Sequence, residues 1–171
     1  MATKALVGVS TIKYGTVVGD GSMPTSLTAW ELFVPDSVLL QFDEPEKTDL
    51  YVEGQDAPYI TIPDPKRVRA LLFRSRNLEP TALEDFFGGT VATNTWSAPT
   101  AETAIFYAIE VVSKTYDTTL YTIEIPKALI LSSLDGKLYQ TDTGEISVRA
   151  EIQAVDNAGT PQSPIQISKT N

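Results

Sequence analysis

The chain has no cysteine and no histidine among its 171 residues. Histidine is the side chain that titrates nearest neutrality and the commonest metal ligand. Cysteine supplies the thiolate nucleophile and the soft zinc site. Their absence excludes Ser-His-Asp and Cys-His catalysis, conventional zinc centres and a disulfide framework. Long apolar runs are missing too: no stretch approaches the roughly 20 residues that carry a helix across a bilayer. The opening Met1–Ser10 has one lysine and a short alternating run broken by Gly8 and Ser10, unlike the apolar segment of a signal peptide. These absences lead us to expect a soluble protein made in a cytoplasm, with carboxylates as its sole catalytic resource and no cofactor.

What is present is acid. Twenty-two Asp and Glu face 13 Lys and Arg, a net charge of −9, which argues against binding nucleic acid by neutralising phosphates. An acidic wall instead repels phosphates, which suits a surface along which DNA slides. The excess is concentrated. Thr16 to Lys66 holds ten acids and two lysines, whereas Lys66, Arg67, Arg69, Arg74 and Arg76 fall within eleven residues that hold no acid. Two readings stay open: the acidic and basic stretches neutralise each other within one fold, or one copy's acids meet another copy's arginines head to tail.

Hydropathy alternates with period two along most of the chain, the pattern of half-buried strands. In Glu145–Val155 the residues Ile146, Val148, Ala150, Ile152 and Ala154 share one face, and Glu145, Ser147, Arg149, Glu151 and Gln153 the other. Thr103–Ser113 and Thr118–Leu131 read as one long hairpin turning near Asp117, with a bulge or break at Pro126. Further strands are expected near Ala5–Ile12, Leu27–Val34, Val38–Phe42, Leu50–Glu53, Tyr59–Ile62, Val68–Arg76, Val91–Trp96 and Ile165–Ser168. One segment differs. Leu83, Phe86 and Phe87 recur at helical spacing, Pro80 suits the first helical position and Gly88 the left-handed residue after the last. The expectation is a single, mainly β domain over residues 1–171: an antiparallel sandwich or barrel with one short helix, about residues 80–87.

Sites drawn from this inventory each have a plainer alternative. Asp43, Glu44 and Glu46 around Pro45, and Glu84 with Asp85 on the helix, are the densest carboxylates. A glycosidase needs two carboxyls across a cleft; a solvated hairpin tip and a solvated helix face are the plainer readings. Asp20-Gly21 and Asp156–Gly159 could offer oxygens to calcium, yet neither matches the calcium-loop spacing, and turn chemistry explains both. Gly15, Gly19 and Gly21 lack the Lys-Ser/Thr of a phosphate loop. Trp30, Trp96, Tyr51, Tyr59 and Tyr107 could stack on a sugar, but they are scattered over several strands and fit core or interface packing better. Ala154–Pro161 looks like the hairpin before the last strand of immunoglobulin-like domains, which keeps a binding or decoration module as the alternative function.

The order of elements resembles the phage major tail proteins, the tail-tube family related to ring-forming tubes of contractile injection systems. The resemblance runs over the short N-terminal strand, the acidic hairpin region Leu27–Tyr59, the strand Val68–Arg76 leading into the helix closed by Gly88-Gly89, the hairpin Thr103–Leu131 and the strand Glu145–Val155. It implies a non-enzymatic virion protein, assembled in the host cytoplasm, whose copies (usually six) close a ring and stack into a tail tube. Its partners would be itself and other tail proteins (tape measure, terminator, tail tip), with DNA passing through an acidic lumen without specific binding. Duplex DNA is about 20 Å wide and strands sit about 4.8 Å apart, so such a bore needs on the order of 20 tilted strands. Six copies lending about four each would suffice. On this reading Asp43, Asp49, Glu53, Glu145 and Glu151 are candidate lumen residues, with Arg149 standing among them. Arg67, Arg69, Arg74 and Arg76 are candidate inter-subunit residues.

Overall fold

The computed structural model describes residues 7–34, 36–44, 47–54, 56–63, 69–135 and 144–170. Among the described residues the chain is mainly β, with antiparallel pairing and one short helix. In order come β1 (Val7–Gly15), β2 (Thr28–Ala29), β3 (Leu39–Phe42), β4 (Lys47–Leu50), β5 (Ile60–Pro63), β6 (Arg69–Ser75), α1 (Pro80–Phe87), β7 (Thr90–Ala92), β8 (Thr95–Ser97), β9 (Ile105–Lys114), β10 (Leu120–Asp135), β11 (Glu145–Ile152), β12 (Val155–Asn157), β13 (Thr160–Gln162) and β14 (Gln166–Thr170).

Eight strands form one sheet in the order β2-β1-β9-β10-β11-β6-β3, with β14 paired to the first half of β10. Strand β10 is long enough to serve two neighbours on one side, β14 along Leu120–Glu124 and β11 along Ala128–Asp135. Between them lies the register shift at Ile125/Ala128, where Pro126 stands, as its missing N–H requires. This bulge exchanges the parity of β10: Glu124 before it and Leu129 after it face the same way.

The expected strand Leu27–Val34 is not one strand. Only Thr28–Ala29 pair with β1, after which Leu32 takes a left-handed backbone (φ 55°) and ends the extended run. The segment then changes partners. Trp30 N–H donates to Ile12 O, Val34 N–H to Arg74 O, Arg76 N–H to Leu32 O, and Phe33 bridges to Ser75. It therefore ties the β1 side of the sheet to the β6 side and closes it into a barrel-like wrap.

The interior is the alternating apolar row of β1, β6, β9, β10 and β11: Ile12, Phe73, Ile109, Val111, Ile125, Ile130, Ile146, Val148 and Ala150, all buried. Trp30, 5% exposed, stands at the closure, its ring 5.2 Å from both Phe73 and Phe86. Helix α1 spans the residues that its spacing indicates and turns Ala82 and Phe86 inward. Pro80 opens it, and Gly88 (φ 70°) closes it by donating to Glu84 O. Gly89 (φ 95°) lies so close to Ser97 O that a Cβ has no room, and Trp96 Nε1 donates to Gly88 O at 2.7 Å. The β7–β8 hairpin is thus clasped to the helix end.

Phe86→Ala should cost about 3–5 kcal/mol of stability, because the interior cannot collapse around the void. Phe106→Ala on the outer face, where the ring is 39% exposed, should cost under about 1 kcal/mol in the monomer. Denaturant melts of both variants check the assignment of inner and outer faces.

Candidate functional site: an uncovered hairpin, a paired arginine face and a buried carboxylate

Strands β4 and β5 form a hairpin that stands apart from the sheet. Its register sets Lys47 opposite Pro63, Thr48 opposite Ile62, Asp49 opposite Thr61 and Leu50 opposite Ile60. Alternation gives it two unlike faces. One holds Lys47, Asp49, Thr61 and Pro63; there Asp49 accepts a hydrogen bond from Thr61 (2.6 Å) and an ion pair from Lys47 (3.0 Å). Those contacts, Thr61's first, hold the Asp49 carboxyl below its usual range. The other face holds Thr48, Leu50, Ile60 and Ile62. No other strand or helix of the described residues packs extensively on it, so Leu50 is 48%, Ile60 45% and Ile62 51% exposed. Val52, Tyr51 and Tyr59 just beyond are exposed as well.

Of the candidate lumen acids, Asp43 accepts from Gln41 Nε2 at 2.7 Å, and Glu53 is exposed in the turn beyond β4. Glu145 and Glu151 lie elsewhere, on the outer face of β11, and both are occupied. Glu145 takes Arg74 Nη1 (2.8 Å) on one oxygen and Arg76 Nε and Nη2 (2.9 and 2.6 Å) on the other. These hydrogen bonds, Arg76's first, hold its carboxyl below the ordinary value. Glu151 accepts from Arg149 Nε at 3.0 Å. The structure therefore brings together one candidate lumen acid and two candidate inter-subunit arginines, neighbours across the β11–β6 ladder. Reversing both arginines to glutamate would set three carboxylates together on that ladder. Arg69 stacks over the Phe42 ring at 5.8 Å; Arg67 lies outside the described residues.

The expected solvated helix face holds for Glu84 but not for Asp85. Position 85 borders the buried stripe of Ala82 and Phe86, so its half-buried carboxylate meets strands β1 and β9. Tyr14 Oη donates to Asp85 Oδ2 at 2.5 Å. Tyr14 stacks on Trp30 with centroids 4.5 Å apart and meets Tyr107 edge-on at 5.0 Å. Burial pushes the Asp85 carboxyl up, against the pull of the Tyr14 hydrogen bond. Burial, then the Asp85 hydrogen bond, pushes the Tyr14 phenol up; burial and the Asp85 charge raise Tyr107 to about 12. These groups edge an open hollow of about 800 Å³ beneath the loop after β1, where Asp85 is the one carboxylate among the described lining residues. The Tyr14–Asp85 hydrogen bond braces helix α1 against strand β1. Linear spacing could not bring residues 14, 85 and 107 together. The available signal was a tyrosine in each of two apolar rows, since a buried phenol needs a partner.

The remaining candidates resolve locally. Asp20 accepts from Ser22 N and Oγ, and Asp156 from Gly159 N at 2.5 Å. Ala158 and Gly159, both with positive φ, make the two-residue turn of the β12–β13 hairpin. Among the described residues no group of three acids is placed to hold a metal ion, and no helix is long and apolar enough to cross a membrane. The aromatics do not share a platform: Trp30 and Tyr107 line the interior, Trp96 packs on Phe87, and Tyr51 and Tyr59 ride on the hairpin. No family model and no curated protein matches the chain.

The tyrosine brace has a testable pH signature. Between about pH 10 and about 12 the folded chain keeps a proton on Tyr107 that the unfolded chain has released. Stability is therefore fully present below pH 10 and falls as pH rises through this window. In Tyr107→Phe the fall should be shallower, as read from denaturant midpoints at stepped alkaline pH.

Proposed function

We propose that the chain is a structural subunit that assembles with copies of itself into closed rings stacked as a virion tail tube. The observation that carries this reading is the bare apolar face of the β4–β5 hairpin. A lone two-stranded hairpin is marginal in water, and this one sets Leu50, Ile60 and Ile62 side by side, each about half exposed. Completing their burial, with Val52, is worth on the order of 4 kcal/mol per hairpin. Contiguous exposed apolar surface of this kind marks an interaction site.

The hairpin's two faces suit a tube wall. With the apolar face against a neighbour, the face bearing Asp49 and Thr61 is left to solvent, in company with Asp43 and Glu53. An acidic bore repels phosphate and lets DNA pass. The lumen role is assigned to these hairpin-region acids because residues 43–64 carry seven acids and one lysine, so that the Asp49–Lys47 pair leaves the region acidic, whereas Glu145 and Glu151 are matched by arginines of the same chain. The subunit performs no bond chemistry on this reading, works in the virion tail and meets other tail proteins only at the ends of the tube.

Sedimentation of the wild-type chain against Ile60→Asp/Ile62→Asp tests the reading. The wild type should run as large assemblies at raised concentration, and the variant as a folded monomer with unchanged circular dichroism. Wild-type monomers at every salt and concentration would contradict self-assembly and favour a monomeric binding module.

A further inference from the structure

The outer face of the barrel carries a second uncovered apolar surface. The pairing of β3 with β6, β6 with β11 and β11 with β10 aligns Leu39, Leu72, Arg149 and Leu131 in one row across four strands. Leu39 is 57% and Leu131 44% exposed, and a shallow hollow of about 270 Å³ opens between Leu72, Leu131 and Arg149. Four strands at about 4.8 Å spacing make this row about 14 Å long. The hairpin's apolar face is of similar length, two residue pairs and Val52 at about 3.4 Å per residue.

Charge distinguishes the two surfaces. The row is bordered by Arg74, Arg76, Arg149 and Lys127, the last set over the Phe106 ring at 4.9 Å, against the carboxylates Glu145 and Glu151. The hairpin carries the Asp49–Lys47 pair and is bordered by Glu44, Glu53 and Asp56, with Asp43 between it and the row at the end of β3. Hairpin on hairpin would set acid against acid. Hairpin on row sets acid against base and apolar against apolar.

We infer that the apolar face of the β4–β5 hairpin of one copy packs on the Leu39–Leu72–Leu131 row of a second copy. The inference rests on the self-assembly reading and names its contact. The two surfaces are different parts of one chain, so the contact is heterologous: it propagates from copy to copy, as a ring or a stack requires, and does not end at a dimer.

The absence of native cysteine makes the test direct, because every disulfide formed must join introduced thiols. Ile62→Cys and Leu131→Cys proteins are mixed and oxidised mildly, each also alone, with Thr93→Cys on the distant β7–β8 turn as control. Sedimentation of each sample before oxidation reports assembly. The expected result is a mixed Ile62–Leu131 dimer at least tenfold above the Ile62–Thr93 yield, and a ladder from the chain carrying both Ile62→Cys and Leu131→Cys. Assemblies with no mixed dimer above control would overturn the docking contact and leave self-assembly standing. A dominant Ile62–Ile62 dimer would show hairpins facing each other and overturn it likewise. Monomers throughout would overturn both.

Discussion

The indole of Trp30 occupies the point where the sheet closes. Its backbone N–H binds Ile12 O on β1, and a few residues later the same segment is bound to β6. Its ring lies against Tyr14, Phe73 and Phe86, one each from β1, β6 and α1. The remaining architecture follows from that closure. A closed interior gives β1, β6, β9, β10 and β11 one buried row each, and helix α1 supplies Phe86 to it. Everything else on the strands is turned outward, where among the described residues no second layer covers Leu39, Leu131 or Phe106.

Closure also explains why the charged residues divide as they do. On the outer face of β11 and β6 the charges answer one another across the ladder: Glu145 with Arg74 and Arg76, Glu151 with Arg149. Such exposed pairs contribute little to stability; their effect is to leave that face with cations in excess beside an apolar row. The hairpin follows β3 and precedes β6 in the chain and forms a separate two-stranded sheet. Residues 43–64 around it carry seven acids and one lysine, so the pairing of Asp49 with Lys47 leaves the region acidic. The two uncovered apolar surfaces thus differ in the charges that border them.

Much of the fold was legible, for identifiable reasons. Helix α1 was readable to its ends because Pro80 and Gly88 each answer a backbone requirement at that position. Strands β9 and β11 were readable because an enclosed sheet enforces strict alternation, and Pro126 marked the bulge because it cannot donate to a ladder. The closing segment was misread as a strand, since the left-handed turn at Leu32 is imposed by tertiary pairing on a residue with no local preference for it. Asp85 was misassigned because a two-turn helix shows its apolar stripe but not what borders it. The hairpin's acids were visible, whereas the bareness of its other face was not: Leu50, Ile60 and Ile62 look like ordinary core residues, yet among the described residues no strand or helix packs extensively above them.

The central claim is that this bare hairpin and the cysteine-free, acid-rich chain around it belong to a wall made of copies. Negative-stain electron microscopy of the purified wild-type protein tests that claim most directly. The account predicts closed rings, and tubes at higher concentration, of one uniform bore at least about 20 Å wide, the clearance duplex DNA needs within a multi-strand barrel. A field of single particles of monomer size, unchanged across salt and concentration, would contradict it.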